Sequence, residues 1–224
     1  MATIRILIIA FVVAVSSACN VTRVVKPLEK GEKAVSASIG GPGIIFSGAP
    51  IPVPLSSLSY SHGLDTGVTV SAGIHTTSLA FGVLQLDLAL GVNAFQLDNE
   101  KFGVTLSPGL HFLMDTYKGY VRTYPQLDAL CWWQYSEKPN LFYAGAGTWV
   151  ELVKAKPHNQ VQQNELLPWV MIGHQFNRPK WAYTTEIKYL GMQHDTRDLV
   201  VDYISPSHHG TLGFYFGVSR RLMK

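Results

Sequence analysis

From Thr211 to Leu222 the chain alternates with a period of two. Leu212, Phe214, Phe216, Val218 and Leu222 are bulky and apolar, with Arg220 the exception, and Thr211, Gly213, Tyr215, Gly217, Ser219 and Arg221 between them are small or polar. Successive side chains on a strand point to opposite faces, so this stretch is a strand with two unlike faces. In a soluble sandwich the small, polar face meets water. In a membrane barrel it faces the lumen and the aromatic face meets lipid. The remainder of the chain has to decide between the two.

Two observations favour the membrane. Charged residues make up only 15% of the 224 residues, against roughly 25% in soluble domains. Yet beyond the first twenty residues no apolar run approaches the roughly 20 residues a spanning helix needs. A barrel reconciles these, because its lipid-facing and lumen-facing residues alternate and dilute the apolar signal. The formal charge of +3 is spread along the chain, which leaves no clustered basic face for nucleic acid.

Ten segments carry strand signals: 33–40, 56–62, 68–75, 79–97, 102–114, 120–135, 141–152, 165–176, 181–191 and the closing stretch from residue 208. The fourth slips phase near Gly82, from Leu79, Phe81 and Val83 to Leu84, Leu86 and Leu88, which predicts a β-bulge. Pro108 predicts another in the fifth. Segment 41–55 contains Pro50, Pro52 and Pro54 and reads as an extended loop. The eighth segment is apolar on both faces, so its facing is ambiguous.

The connections alternate in length. Those at 63–67, 98–101, 136–140 and 177–180 are short. On the other side, 41–55, 153–164 and 193–207 are long, and only 76–78 and 116–119 are short. Short turns at one end and long loops at the other are the asymmetry of outer-membrane barrels, which also favour even strand numbers. In this pattern the chain resembles small outer-membrane β-barrel proteins. The expected fold is an all-β, transmembrane, up-and-down antiparallel barrel of ten strands over 33–224, with eight or twelve the alternatives.

Residues 1–18 read as a signal peptide: Arg5, then the apolar run Ile6 to Val15, then Ser16, Ser17 and Ala18 before Cys19. This resembles the bacterial lipoprotein signal, which implies cleavage between Ala18 and Cys19 and lipidation of Cys19. The resemblance is good at Ser17, Ala18 and Cys19 and departs at Ser16, where the family carries an aliphatic residue. Residues 19–32 then read as a lipid-anchored tether running to the rim of the barrel. The second cysteine, Cys131, lies among Leu130, Trp132 and Trp133 and reads as an inert small hydrophobe.

Candidate sites fall into two groups. Glu186, Lys188 and Arg221, with Asp128, face inward on the parity of their strands. They predict a polar network filling a narrow lumen, or lining a conducting pore. His75, Asp115, His158, His194, Asp195, His208 and His209 are expected towards the outer rim. There His194, Asp195 and Asp115 are similar in type to the omptin proteases, without that family's paired acidic motif. Ser207, His208 and His209 similarly suggest lipid-modifying deacylases, without their His-x-Ser spacing. No CxxC, HExxH, GxSxG or phosphate-loop motif is present. No cofactor is expected, and the expected partners are outer-membrane lipid and a larger outer-membrane assembly. The reading is therefore an outer-membrane lipoprotein barrel with a structural or accessory role. The alternatives are a narrow solute channel, a rim-located hydrolase and a periplasmic lipocalin-like barrel.

Overall fold

The computed structural model describes residues 21–97, 100–135, 139–153, 165–197, 199 and 201–222. The signal peptide, Cys19 and His158 lie outside the described residues. The strands are β1 (Lys33–Phe46), β2 (Ala49–Pro52), β3 (Leu55–Asp65), β4 (Val68–His75), β5 (Val83–Gln96), β6 (Phe102–Asp115), β7 (Val121–Gln134), β8 (Leu141–Val150), β9 (Leu166–Asn177), β10 (Trp181–Asp195) and β11 (His209–Leu222), with a short helix α1 (Thr76–Ala80) between β4 and β5. From β3 onward each strand pairs antiparallel with the next. The last, β11, returns to β1 over ten pairs, from Lys33↔Leu222 to Pro42↔Gly213. The result is a closed ten-stranded antiparallel barrel made of β1 and β3 to β11, and closure leaves the wall without an edge.

The departures from the sequence reading have local causes. Segment 41–55 is a hairpin, because β1 continues to Phe46 and pairs with β2 from Gly43↔Pro52 to Phe46↔Ala49. Pro50 and Pro52 are accommodated because β2 is an edge strand outside the wall. The phase slip near Gly82 is no bulge. Leu79 belongs to α1, and Gly82 turns the chain at φ +80°. The register shift in β5 lies further on, between Asn93 and Phe95. Pro108 leaves the register intact, pairing with Leu127 within an unbroken ladder to β7.

The faces sort as in a lipid-embedded barrel. Leu88, Leu106, Leu110, Val170, Ile172 and Phe216 are exposed on the outside, while Ser57, Thr69, Ser71, Gln85 and Thr105 are buried inside. The facing of β9 is resolved the same way: Ile172 is 60% exposed and Trp169 1%. Cys131 is exposed beside the inward-facing, buried Leu130 and Trp132.

Residues 21–32 run inside the barrel. They end where β1 begins, at the end bearing the short turns. There Gly31 N–H donates to Gly63 O at 2.8 Å and Gly63 N–H to Glu32 O at 2.9 Å. Further in, Leu28 N–H donates to Thr69 Oγ1 and Thr105 Oγ1 donates to Val25 O, each at 2.8 Å. Val21, Val24 and Val25 are buried. Gly91 makes the close approach possible, since a Cβ there would stand 2.5 Å from Val24 Cγ1. The part of the expected tether that is described thus lies within the wall instead of spanning the distance to its rim.

Candidate functional site in the lumen

The site is organised by Asp87, a single carboxylate in the apolar run Leu84 to Leu90 of β5. Its parity, shared with Val83 and Gln85, turns it inward. In the sheet it stands between Gly73 of β4 and His111 of β6. Gly73 leaves the space that a side chain would fill, and the guanidinium of Arg23 occupies it. Arg23 grips Asp87 as a fork, with Nη2 to Oδ2 at 2.6 Å and Nε to Oδ1 at 3.0 Å. The two side chains are 7% and 3% exposed. Arg23 Nη1 also reaches Ser57 Oγ at 3.3 Å, and Ser57 bonds Ser38 at 2.7 Å. A buried carboxylate requires such a partner, and the bidentate geometry is the strongest form available.

Two histidines complete the cluster. His75 closes β4 and brings Nε2 within 2.9 Å of Asp87 Oδ2. His111 Nε2 donates to Gln126 Oε1 at 2.5 Å, while Trp149 Nε1 donates to the same oxygen at 2.8 Å. That bond leaves His111 Nδ1 with its lone pair, buried and without a hydrogen-bond partner. Gln126 Nε2 in turn donates to Asp128 Oδ2 at 2.5 Å. A cavity of about 20 Å³ lies among these groups, bounded by Arg23, Asp87, Ser107, His111, Gln126 and Asp128.

Nearer the short-turn end, Lys188 Nζ meets Glu186 Oε1 at 2.9 Å. Glu186 Oε2 accepts from Tyr143 Oη at 2.6 Å and from the backbone N–H of Thr22 at 3.2 Å. Of the residues expected in the lumen network, Glu186 and Lys188 are brought together, and Asp128 joins the neighbouring cluster through Gln126. Arg221 is not among them: it lies at the short-turn end with Nε 3.3 Å from Glu32 Oε1, its side chain 41% exposed.

The expected rim residues converge only in part: Asp195 and His209 are cross-strand partners of β10 and β11, and His75 and Asp115 stand apart from them. His75 is buried in the lumen cluster rather than at the rim. Asp115 accepts from the backbone N–H groups of Tyr117 and Lys118 in its own turn. Asp195 is held by Arg197 Nε at 3.0 Å, and His209 Nδ1 bonds Ser207 O at 2.9 Å. Sequence reasoning missed Arg23 and Asp87. The signal for Asp87 was legible, since an inward carboxylate in an apolar strand must find a cation. The signal for Arg23 was not, because residues 21–32 have no periodicity.

No protein-family model matches the chain, and no curated protein matches it. Solved structures resemble it in fold. The translocator domain of autotransporter NalP from Neisseria meningitidis superposes with a TM-score of 0.50 at 11% identity, covering 99% of this chain and 98% of that one. The NanC porin follows at 0.46 and 11%, covering 85% and 100%. An outer membrane channel from Pseudomonas putida F1 gives 0.45 at 10%, covering 90% and 99%. At such identities the likeness is one of fold, that of outer-membrane β-barrels.

Proposed function

We propose that this chain is an outer-membrane lipoprotein barrel, anchored by lipid at Cys19, whose lumen is stopped by its own amino-terminal segment. Its role on this reading is structural or accessory, within a larger outer-membrane assembly. The observation that carries the reading is the course of residues 21–32 through the lumen, clamped by the buried pair of Arg23 and Asp87. The apolar outer face supports the membrane location, because a water-facing wall bearing Leu88, Ile172 and Phe216 would be a large adhesive patch. The lipoprotein signal at Ala18 and Cys19 supports the anchor.

One observation favours a second reading, a narrow gated channel. A cavity of about 270 Å³ surrounds the segment between Glu32, Asn177 and Gly217, so the segment has room to shift. Planar-bilayer recording separates the two. The intact chain is expected to show no conductance steps, and a variant lacking residues 21–31 to show steady ones. Steps of equal size from both would refute closure by the segment. Heat-modifiable migration and retention in carbonate-washed membranes test the integral barrel, and the mass of the peptide bearing Cys19 tests the anchor.

A further inference from the structure

We infer that His75, Asp87 and His111 form a site for a divalent transition-metal ion, and that its occupancy competes with Arg23 for the carboxylate of Asp87. One ligand atom from each of the three residues lies within 4.8 Å of the others, and all three residues are buried. Zinc holds nitrogen and oxygen ligands at about 2.0–2.2 Å, which sets donor atoms roughly 3.5 Å apart in a tetrahedral site. His75 Nε2 and Asp87 Oδ2, at 2.9 Å, are already inside that separation. Closure therefore needs about 1 Å of side-chain adjustment at His111. The three residues stand on the adjacent strands β4, β5 and β6, which hold their backbones in fixed register.

The donor set selects the ion. Two imidazoles and one carboxylate suit zinc, nickel or cobalt, whereas magnesium and calcium prefer oxygen ligands throughout. The outer shell is present as well. Gln126 fixes the His111 tautomer and leaves one ring nitrogen as a lone pair, which is the arrangement that orients metal-binding histidines. The metal takes the place of the hydrogen between His75 Nε2 and Asp87 Oδ2, and that proton moves to Nδ1, so the imidazole stays neutral. The 20 Å³ cavity beside Asp87 and His111 has room for one water as a further ligand.

Asp87 Oδ2 serves both states. It now accepts from Arg23 Nη2 and His75 Nε2 together. A dication at that oxygen would repel the guanidinium, so metal and Arg23 exclude one another. Because Arg23 belongs to the lumen segment, occupancy would also loosen residues 21–32. This last consequence rests on the course of the segment proposed above, whereas metal binding does not.

The test is calorimetric titration of zinc, nickel and magnesium chloride into the full chain folded in detergent micelles. The paired H75A/H111A variant subtracts binding at the other histidines. The expected result is one zinc per chain in excess of that control, with no magnesium binding. Arg23→Gln should tighten zinc at least tenfold, a gain that misfolding does not produce. Zinc uptake by both the intact chain and Arg23→Gln that is no greater than in H75A/H111A would overturn the site. Equal affinities of the intact chain and Arg23→Gln would overturn the competition. Neither readout depends on conductance.

Discussion

The two halves of the lumen wall solve the same problem differently. From β7 to β10 the wall fills most of the interior with its own bulk: Leu130, Trp132, Leu141, Tyr143, Trp149, Trp169, Met171 and Leu190 form one buried cluster, against which Val25 of the lumen segment packs. From β3 to β6, outside the cluster of His75, Asp87 and His111, the inward residues include Ser57, Ser59, Ser61, Thr69, Ser71, Thr105 and Ser107, too small to meet across a ten-stranded lumen. There the chain supplies a second layer, residues 21–32, and the hydroxyls of Thr69 and Thr105 bind its backbone. Small polar residues thus do not signify an empty lumen. They signify a wall shaped for a strip of polypeptide, whose N–H and C=O groups need partners once buried.

The contrast can be attacked from either side. Trp169 packs edge-on against Trp149 with ring centroids 6.4 Å apart. Trp169→Ala should cost about 3–5 kcal/mol in urea unfolding of the folded barrel, with less quickening of protease cleavage within residues 21–32 than Asp87→Ala brings. Equal loosening of the segment would show that the halves are not independent. Asp87→Ala should cost less, about 2–3 kcal/mol, since the orphaned Arg23 can withdraw with its segment. Cleavage in residues 21–32 should rise sharply. Unchanged cleavage would mean that the ion pair is not what retains the segment. Gly91→Leu drives a side chain into Val24 and should cost about 1–3 kcal/mol, again with faster cleavage. Lys30→Ala removes an ion pair with Asp65 whose side chains are 71% and 66% exposed. It should change stability by less than about 1 kcal/mol, and a larger loss would show that the segment is secured at its outer end as well.

The barrel wall was legible because lipid and lumen enforce a period of two. Where one face is apolar and the other small, as in β11, parity alone assigned Tyr215 to the interior. In β9 it failed, because the aromatic half places Trp169 and Met171 opposite Val170 and Ile172. Helix α1 was hidden because Leu79 and Phe81 continue an apparent strand alternation. The site was half legible. Glu186 and Lys188 follow from parity, but the pairing of Arg23 with Asp87 spans β1 to β4 and α1 in sequence and depends on a segment that reads as a linker. His75 was misplaced at the rim because its position at the end of β4 says nothing about where its ring turns.

The closing seam bears on the order of assembly. It joins β1 to β11, the strands that bound the wall in sequence, so its contacts are the least local in the wall and close late on entropic grounds. The lumen segment is continuous with β1, one lip of that seam. It can therefore be laid in sideways while the cylinder is still an open sheet, and no threading through a finished pore is required. Its pairing with the hydroxyl half, strands β3 to β6, needs only the first part of the chain. The segment would then act as a former around which the later, self-filling strands curl before the seam zips.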